Sequence, residues 1–212
     1  EKSVDIVITT YNRPDRLTQI VNNLSQQTNM DFNLIINDDG GKDKINPDDF
    51  PVITKYIDNI DDGYHRVGRF NESVELCLSP YIILLDDDCI PHYRDFVQAH
   101  LNELQNFDAC RGIVQFPDGA RANSWFSTAN LGIRKSVIDE IGLFDPVFDG
   151  HYGHEDQDLG NRIKEKNYKV TMDVEMTRAD HGLEIYADGD RSDAIIDHNT
   201  RYFIEKWGYD PR

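Results

Sequence analysis

The sequence predicts one α/β domain with a mostly parallel central sheet flanked by helices, and three observations carry that reading. Short apolar, β-branched runs recur at Val4–Thr10, Phe32–Asn37 and Tyr81–Leu85, each the length of a buried strand. Segments with helical periodicity separate them, as parallel strands joined by crossovers require. Each run also ends in polar residues: Thr9-Thr10-Tyr11, Asp38-Asp39-Gly40 and Asp86-Asp87-Asp88. Ligands in open parallel sheets bind outside the carboxyl ends of the strands, so these ends are expected to share one binding edge.

The elements follow in order. After the first strand, Asn12-Arg13-Pro14 turns into a helix whose Leu17, Ile20, Val21 and Leu24 fall on one face. The second strand closes a βαβ unit, expected to be right-handed. Residues 42–65 are polar and irregular, with one short strand expected at Val52–Tyr56. Val67–Leu78 has a helical pattern and leads into the Tyr81 strand, which Pro91 is expected to stop. Beyond it come a helix marked by Val97, Leu101 and Leu104, a strand at Ala109–Phe116 and a loop at 117–124. A strand at Trp125–Ile133 precedes a short helix ended by Gly142. The glycine- and histidine-rich stretch 144–154 suits a substrate-facing loop. A helix at Glu155–Lys166 and a strand at Lys169–Val174 follow. The tail from Asp188 is acidic, then helical, with Ile195, Tyr202, Phe203 and Trp207 able to pack back.

Composition narrows the function. At 212 residues the chain can bury a substantial core. Its 39 acidic and 22 basic residues give a net charge of −17, which argues against nucleic acid or an anionic membrane as partner. A phosphate-bearing ligand would then need a divalent cation or local arginines to offset repulsion. The three cysteines, Cys77, Cys89 and Cys110, have no CxxC spacing. Neither a disulfide framework nor a zinc knuckle is implied, and a reducing, cytoplasmic compartment is expected. No run approaches the ~20 apolar residues of a membrane span, so any membrane association would come through parts outside this chain.

Three consecutive carboxylates at the mouth of a buried strand repel one another and are costly to desolvate, which points to a cation. A solvated acidic turn is the competing reading of Asp86-Asp87-Asp88 taken alone. In combination with Tyr11 and Asp38-Asp39 the chemistry becomes specific. An aromatic face stacks on a base, a carboxylate accepts a base N–H, and a carboxylate-held metal neutralises a diphosphate.

The ordered set Thr9-Thr-Tyr-Asn-Arg-Pro14, Asp38-Asp-Gly40 and Leu84-Leu-Asp-Asp-Asp-Cys-Ile-Pro91 resembles the motifs of nucleotide-sugar glycosyltransferases with the GT-A fold, especially family 2. Phe126-Ser-Thr-Ala-Asn-Leu-Gly132 and Gly153-His-Glu-Asp-Gln-Asp-Leu-Gly160 resemble the acceptor-side motifs, including those of galactosyltransferase-like members. The resemblance implies a single Rossmann-like GT-A domain over 1–212. Its nucleotide-binding half would be about 1–90, its acceptor-binding half about 91–187, and its helical tail 188–212. It implies a UDP-sugar donor, Mn²⁺ or Mg²⁺ as cofactor, and a glycan or glycoconjugate acceptor.

Carried over by residue, Thr9, Tyr11 and Arg13 would lie at the donor, Tyr11 near the base, and Asp38 or Asp39 would bond uracil. Asp88 would hold the metal directly. Asp86 and Asp87 would sit near the ribose or the metal and its waters, and Arg66 or Arg69 would face the diphosphate. His181 would be a further metal ligand. Asp156 would be the base that deprotonates the acceptor, beside Glu155 as acceptor-binding neighbour. His151 and His154 flank this acidic helix and could bind acceptor. Trp125 could stack on a sugar or simply pack in the core.

Rival readings lack their marks. A sugar-phosphate nucleotidyltransferase wants a glycine-rich loop after its first strand, and Thr9–Arg13 has no glycine. A phosphatase of the DxDxT type wants a threonine that Asp86–Ile90 lacks. Asp188–Asp193 lacks EF-hand spacing. A non-catalytic sugar- or calcium-binding module would not need the nucleotide motifs.

Overall fold

The computed structural model of the protein describes residues 2–122, 124–182 and 193–211. The acidic stretch from Asp188 and the side chain of Ile195 lie outside the described residues.

The nucleotide-motif region forms β1 (Val4–Thr10), α1 (Pro14–Leu24), β2 (Phe32–Asp38), β3 (Lys55–Asp58), α2 (Arg66–Glu75), β4 (Tyr81–Asp86) and β5 (Cys89–Pro91). The remainder forms α3 (Phe96–Glu103), β6 (Ala109–Arg111), β7 (Val114–Gln115), β8 (Asn130–Arg134), α4 (Lys135–Ile141), α5 (Glu155–Glu165), β9 (Val170–Met172), β10 (Ala179–His181) and α6 (Asp193–Trp207). The main sheet runs β3-β2-β1-β4-β8-β6-β9, and of its strands β8 alone is antiparallel to its neighbours. A second, three-stranded sheet has the order β5-β10-β7.

Period-two alternation divides the core between the faces of the main sheet. Val7, Ile35 and Leu84 pack with Val67, Val137, Leu159 and Phe203 of α2, α4, α5 and α6. Ile6, Ile8, Leu34 and Leu85 pack instead with Leu17 of α1 and Phe96 of α3. Because both faces are covered, the parallel strands read as unbroken apolar runs.

Several expected boundaries are corrected. The third strand is Lys55–Asp58 rather than 52–56, because Ile53 N–H bonds Phe50 O in a turn and pairing with β2 begins at Lys55 opposite Ile35. Pro91 does not stop the chain's extended path. It ends a short strand in which Ala179 pairs with Pro91 and His181 with Cys89. The run 109–116 breaks into β6 and β7, with Gly112 between them bonded to Asn130 O at 2.9 Å and packed so closely that a side chain would collide with Asn130 and Thr177 O. The 125–133 strand begins only at Asn130. The preceding segment is irregular, with Phe126 fully buried and Trp125 40% exposed.

The strand order reverses between β1 and β4, with β2 and β3 on one side and β8 on the other. At that switch point Thr9 lies opposite Asp86 and Thr10 opposite Asp38, which gathers the three polar strand ends at one edge. Because β8 runs antiparallel, it starts there too, with Asn130 opposite Leu85.

Candidate active site

The three aspartates after Leu85 have three different sets of partners. Asp86 Oδ1 accepts from Arg66 Nη2 at 2.6 Å. Asp87, 8% exposed, accepts from Thr10 Oγ1 at 2.9 Å and from Arg13 Nη1 at 2.8 Å. Burial pushes its carboxyl up to about 6 despite the pull of Arg13. Asp88 Oδ2 lies 3.3 Å from Arg13 Nη1 and 3.4 Å from His181 Nε2. Gly182 N–H donates to Asp88 O at 2.9 Å, which fastens the end of β10 to the triplet.

The tautomer of His181 bears on metal binding. Its Nδ1 lies 2.7 Å from Gly182 O, an acceptor only, so Nδ1 carries a proton and Nε2 is the nitrogen that faces Asp88 Oδ2. A carboxylate oxygen and an imidazole nitrogen facing each other at 3.4 Å suit a shared divalent cation. No group of three potential metal-binding side chains converges among the described residues. The other coordination positions would therefore fall to phosphate oxygens and water, as is usual for hard cations at nucleotide sites.

Arg66, on the first turn of α2, spans the site. Its guanidinium holds Asp86 at 2.6 Å and Glu155 Oε1, on α5, at 2.5 Å, with its carbon 4.9 Å from the centre of the Phe70 ring. Burial favours its neutral form, but Asp86 and Glu155 outweigh that and hold Arg66 charged. Asp156, half-buried, receives Gln157 N–H at 2.7 Å. Lost hydration, reinforced by the Glu155 charge, pushes the Asp156 carboxyl up to about 7 against the pull of Arg66. A carboxyl so raised is matched to accepting a proton near neutral pH.

The remaining expected residues divide between ligand edge and scaffold. Asp38 accepts from Gly40 N–H and Gly41 N–H, each at 3.0 Å, and from Tyr56 OH at 2.7 Å, so it builds its own loop. Gly40 is obligatory there, with φ +90° and a missing Cβ that would meet Asp61 N at 2.3 Å. Asp39 accepts from Arg69 Nε at 2.7 Å and His65 N–H at 2.9 Å, which places Arg69 beside Asp39 and not on the triplet. Tyr11 is 38% exposed, and its hydroxyl donates to Asp61 at 3.2 Å. Thr9 is buried; its neighbour Thr10 supplies the hydroxyl that reaches Asp87, because adjacent strand residues face opposite ways.

Trp125 and Phe126 lie over Gly160 of α5, where a Cβ would come within 2.7 Å of Phe126 and 2.8 Å of Trp125. Lys164 Nζ lies 5.8 Å from the centre of the same ring, so the partly exposed Trp125 packs along the middle of α5, with Gly160 one helical turn beyond Asp156. His151 and His154 both turn to α6. His151 stacks on His198 with ring centres 3.9 Å apart, and His154 Nε2 meets Thr200 Oγ1 at 2.9 Å. Sequence reasoning expected Tyr202, Phe203 and Trp207 of α6 to pack back, as they do, but it missed the roles of Thr10, Tyr56, Asn199, Thr200 and Lys206. Only the hydroxyl type of Thr10 and its place within the Thr9–Pro14 motif offered a signal.

No helix among the described residues is long and apolar enough to cross a membrane. The chain is similar to several known proteins. Its sequence is 30% identical over 110 residues to a teichoic acid poly(glycerol phosphate) polymerase of Staphylococcus epidermidis, covering 49% of this chain and 15% of that protein. It is 23% identical over 227 aligned positions to a validoxylamine A glucosyltransferase of Streptomyces hygroscopicus subsp. jinggangensis, covering 81% of this chain and 54% of the relative. The chain thus spans between 15% and 54% of the length of these curated relatives.

Two solved structures share the GT-A fold with this chain. Staphylococcus aureus TarS 1-349 superposes with a TM-score of 0.68 at 14% identity, over 85% of this chain and 60% of that one, and has also been solved with UDP-GlcNAc. The mannosyltransferase PcManGT from Pyrobaculum calidifontis, in complex with GDP-Man and Mn²⁺, superposes with a TM-score of 0.69 at 13% identity, over 87% of this chain and 58% of that one. The model of the glycosyl transferase family 2 matches residues 5–154, from β1 through the triplet to the threshold of α5, and the chain belongs to that family.

Proposed function

We propose that this glycosyltransferase is metal-dependent, and that it moves a sugar from a UDP-sugar to a hydroxyl of a glycan or glycoconjugate acceptor. The observation that carries the reading is the Arg66 bridge, which joins Asp86 of the triplet to Glu155 of the acidic helix. One guanidinium thereby ties the first carboxylate of the triplet to Glu155, the neighbour of the candidate base Asp156. Complexes of TarS with UDP-GlcNAc and of PcManGT with GDP-Man and Mn²⁺ support the donor and cofactor classes.

In this reading Asp88 and His181 hold Mn²⁺ or Mg²⁺, with Asp86 close by. When bound there, such a cation would supply positive charge to offset that of a departing diphosphate. Tyr11 faces the base and Asp39 the uracil edge, Asp38 fixing the turn that presents Asp39. Arg13 holds Asp87 and Asp88 in place, and Arg66 adds positive charge beside the diphosphate. Asp156 takes the proton of the acceptor hydroxyl as the anomeric carbon becomes electron-poor. Glu155, held by Arg66, keeps the pKa of Asp156 high, and Trp125 offers its exposed ring to a sugar face. Attack on the side opposite the leaving group inverts the anomeric centre.

A screen of nucleotide-sugars with Mn²⁺ and with chelator, followed by the anomeric configuration of the product, tests this. Release of UDP that needs the cation, with an inverted product, is expected. Turnover unchanged by chelator, or release of pyrophosphate, would overturn the reading.

A further inference from the structure

We infer that α6, which lies beyond the residues matched by the family model, is the splint that positions the acidic end of α5 for catalysis. The start of α5 is poorly secured by its own sequence. His154, the residue before the helix, has φ +70° and makes no side-chain cap, and Gly153 before it has φ +93°. A non-glycine residue in the left-handed region costs free energy that neighbouring structure must offset. The uncapped first turn holds Glu155, Asp156 and Asp158, so its own acids and its surroundings must fix its direction.

Contacts from α6 meet that need at successive turns. Asn199 donates to Gly153 O at 2.9 Å and to Phe148 O at 3.3 Å. Thr200, 2% exposed, bonds the His154 ring at 2.9 Å. Farther along, Lys206 Nζ lies 2.7 Å from Asp158 Oδ1, which also accepts from Trp207 Nε1 at 2.9 Å. Tyr209 OH and the Asn161 side chain meet at 2.9 Å. Positions 153 and 154 are fastened just before the helix and 158 and 161 on one of its faces, and Phe203 is buried in the core.

Asp158 is the clearest marker of this role. Although it belongs to the acidic run, it is wholly buried. Arg162 Nε donates to its Oδ2 at 2.9 Å while Lys206 and Trp207 occupy its Oδ1. It is a positioning residue, two places from Asp156, and the two partners of its Oδ1 come from α6. A small rotation of α5 would carry Asp156 off the line of the acceptor hydroxyl, and misplacement by about 1 Å costs on the order of 100-fold in rate.

The inference rests on Asp156 as the base, and the test keeps the two claims apart. The double variant Thr200→Val/Lys206→Met is compared with Thr200→Ser/Lys206→Arg, which restores a hydroxyl and a cation. Amide hydrogen exchange across residues 155–158 is followed with Mn²⁺-UDP affinity and turnover of the best donor from the screen. The first pair should speed exchange there and lower kcat by about 10-fold or more, with KM and UDP affinity within about twofold. The second pair should restore most of the loss. Unchanged exchange at 155–158, or a parallel fall in UDP affinity and kcat, would overturn the splint. Full activity of Asp156→Asn would instead remove the base, leaving the exchange result to judge the coupling of the helices.

Discussion

The Thr10 hydroxyl donates a 2.9 Å hydrogen bond to Asp87 Oδ2, so the middle aspartate of the triplet is tied to the neighbouring strand while Asp88 faces His181. Asp87→Ala should therefore act mainly on stability. Leaving the buried Thr10 hydroxyl without its acceptor, and removing one of the carboxylates that hold Arg13, is expected to cost about 1–3 kcal/mol in urea unfolding. Asp88→Asn should cost less than about 1 kcal/mol, because that ion pair is partly exposed, but should abolish Mn²⁺-dependent donor turnover. Equal destabilisation by the two, or normal turnover in Asp88→Asn, would contradict this division of labour.

Asp156→Asn should keep UDP affinity within about twofold and lower transfer by about 100-fold or more, the scale of a lost general base. The Asp156 carboxyl, pushed up to about 7 by lost hydration and by Glu155, must be ionised to act. Transfer should consequently rise with pH through neutrality. Glu155→Gln removes the nearby negative charge and leaves Arg66, so the rise should move to lower pH. A rise that stays in place in Glu155→Gln would rule out this electrostatic coupling.

Tyr11 is partly exposed, and Tyr11→Ala should leave the unfolding free energy in urea within about 0.5 kcal/mol of its parent. UDP affinity should fall by about 1–3 kcal/mol if the ring carries the base, on the scale of aromatic–base stacking. Calorimetry with UDP decides the matter, and an unchanged affinity excludes stacking.

His100 lies fully buried beneath β8, with its Nε2 2.9 Å from Asn130 Oδ1. Burial pulls its pKa down to about 4, so the unfolded chain binds this proton at a higher pH than the folded one. Its contribution to stability is unchanged above about pH 6.5 and is lost as pH falls from there toward 4, by on the order of 3 kcal/mol. His100→Gln should flatten that part of the pH–stability curve. An equally steep curve in the variant would assign the acid sensitivity to other groups.

The alternation of β1, α1 and β2 was legible because strands covered on both faces read as continuous apolar runs and α1 shows its buried stripe at helical spacing. The edge shared by Thr10, Asp38 and Asp86 was legible for the same reason, since parallel strands bring their ends together. The partners within it were not. Arg66 joins Asp86 to Glu155 across the fold, a pairing that no local spacing encodes. β5 was hidden by its short length and its proline, because it exists only through pairing with the distant β10. The flank of His151 and His154 on the acidic helix suggested an acceptor role, but side-chain direction there depends on the left-handed His154 backbone and on α6.

The lone antiparallel strand β8 starts at the edge where β4 ends, with Asp86 N–H bonded to Ala129 O at 3.0 Å. The segment carrying Trp125 therefore reaches the site from above, as an overhang, and not as the continuation of a nucleotide-binding strand. Its length and composition could diverge while β1, β2 and β4 kept their register. In the proposed reading, the acceptor side is then attached to the strands that carry the aspartates without being built into them, so it can be reshaped while their register stays fixed.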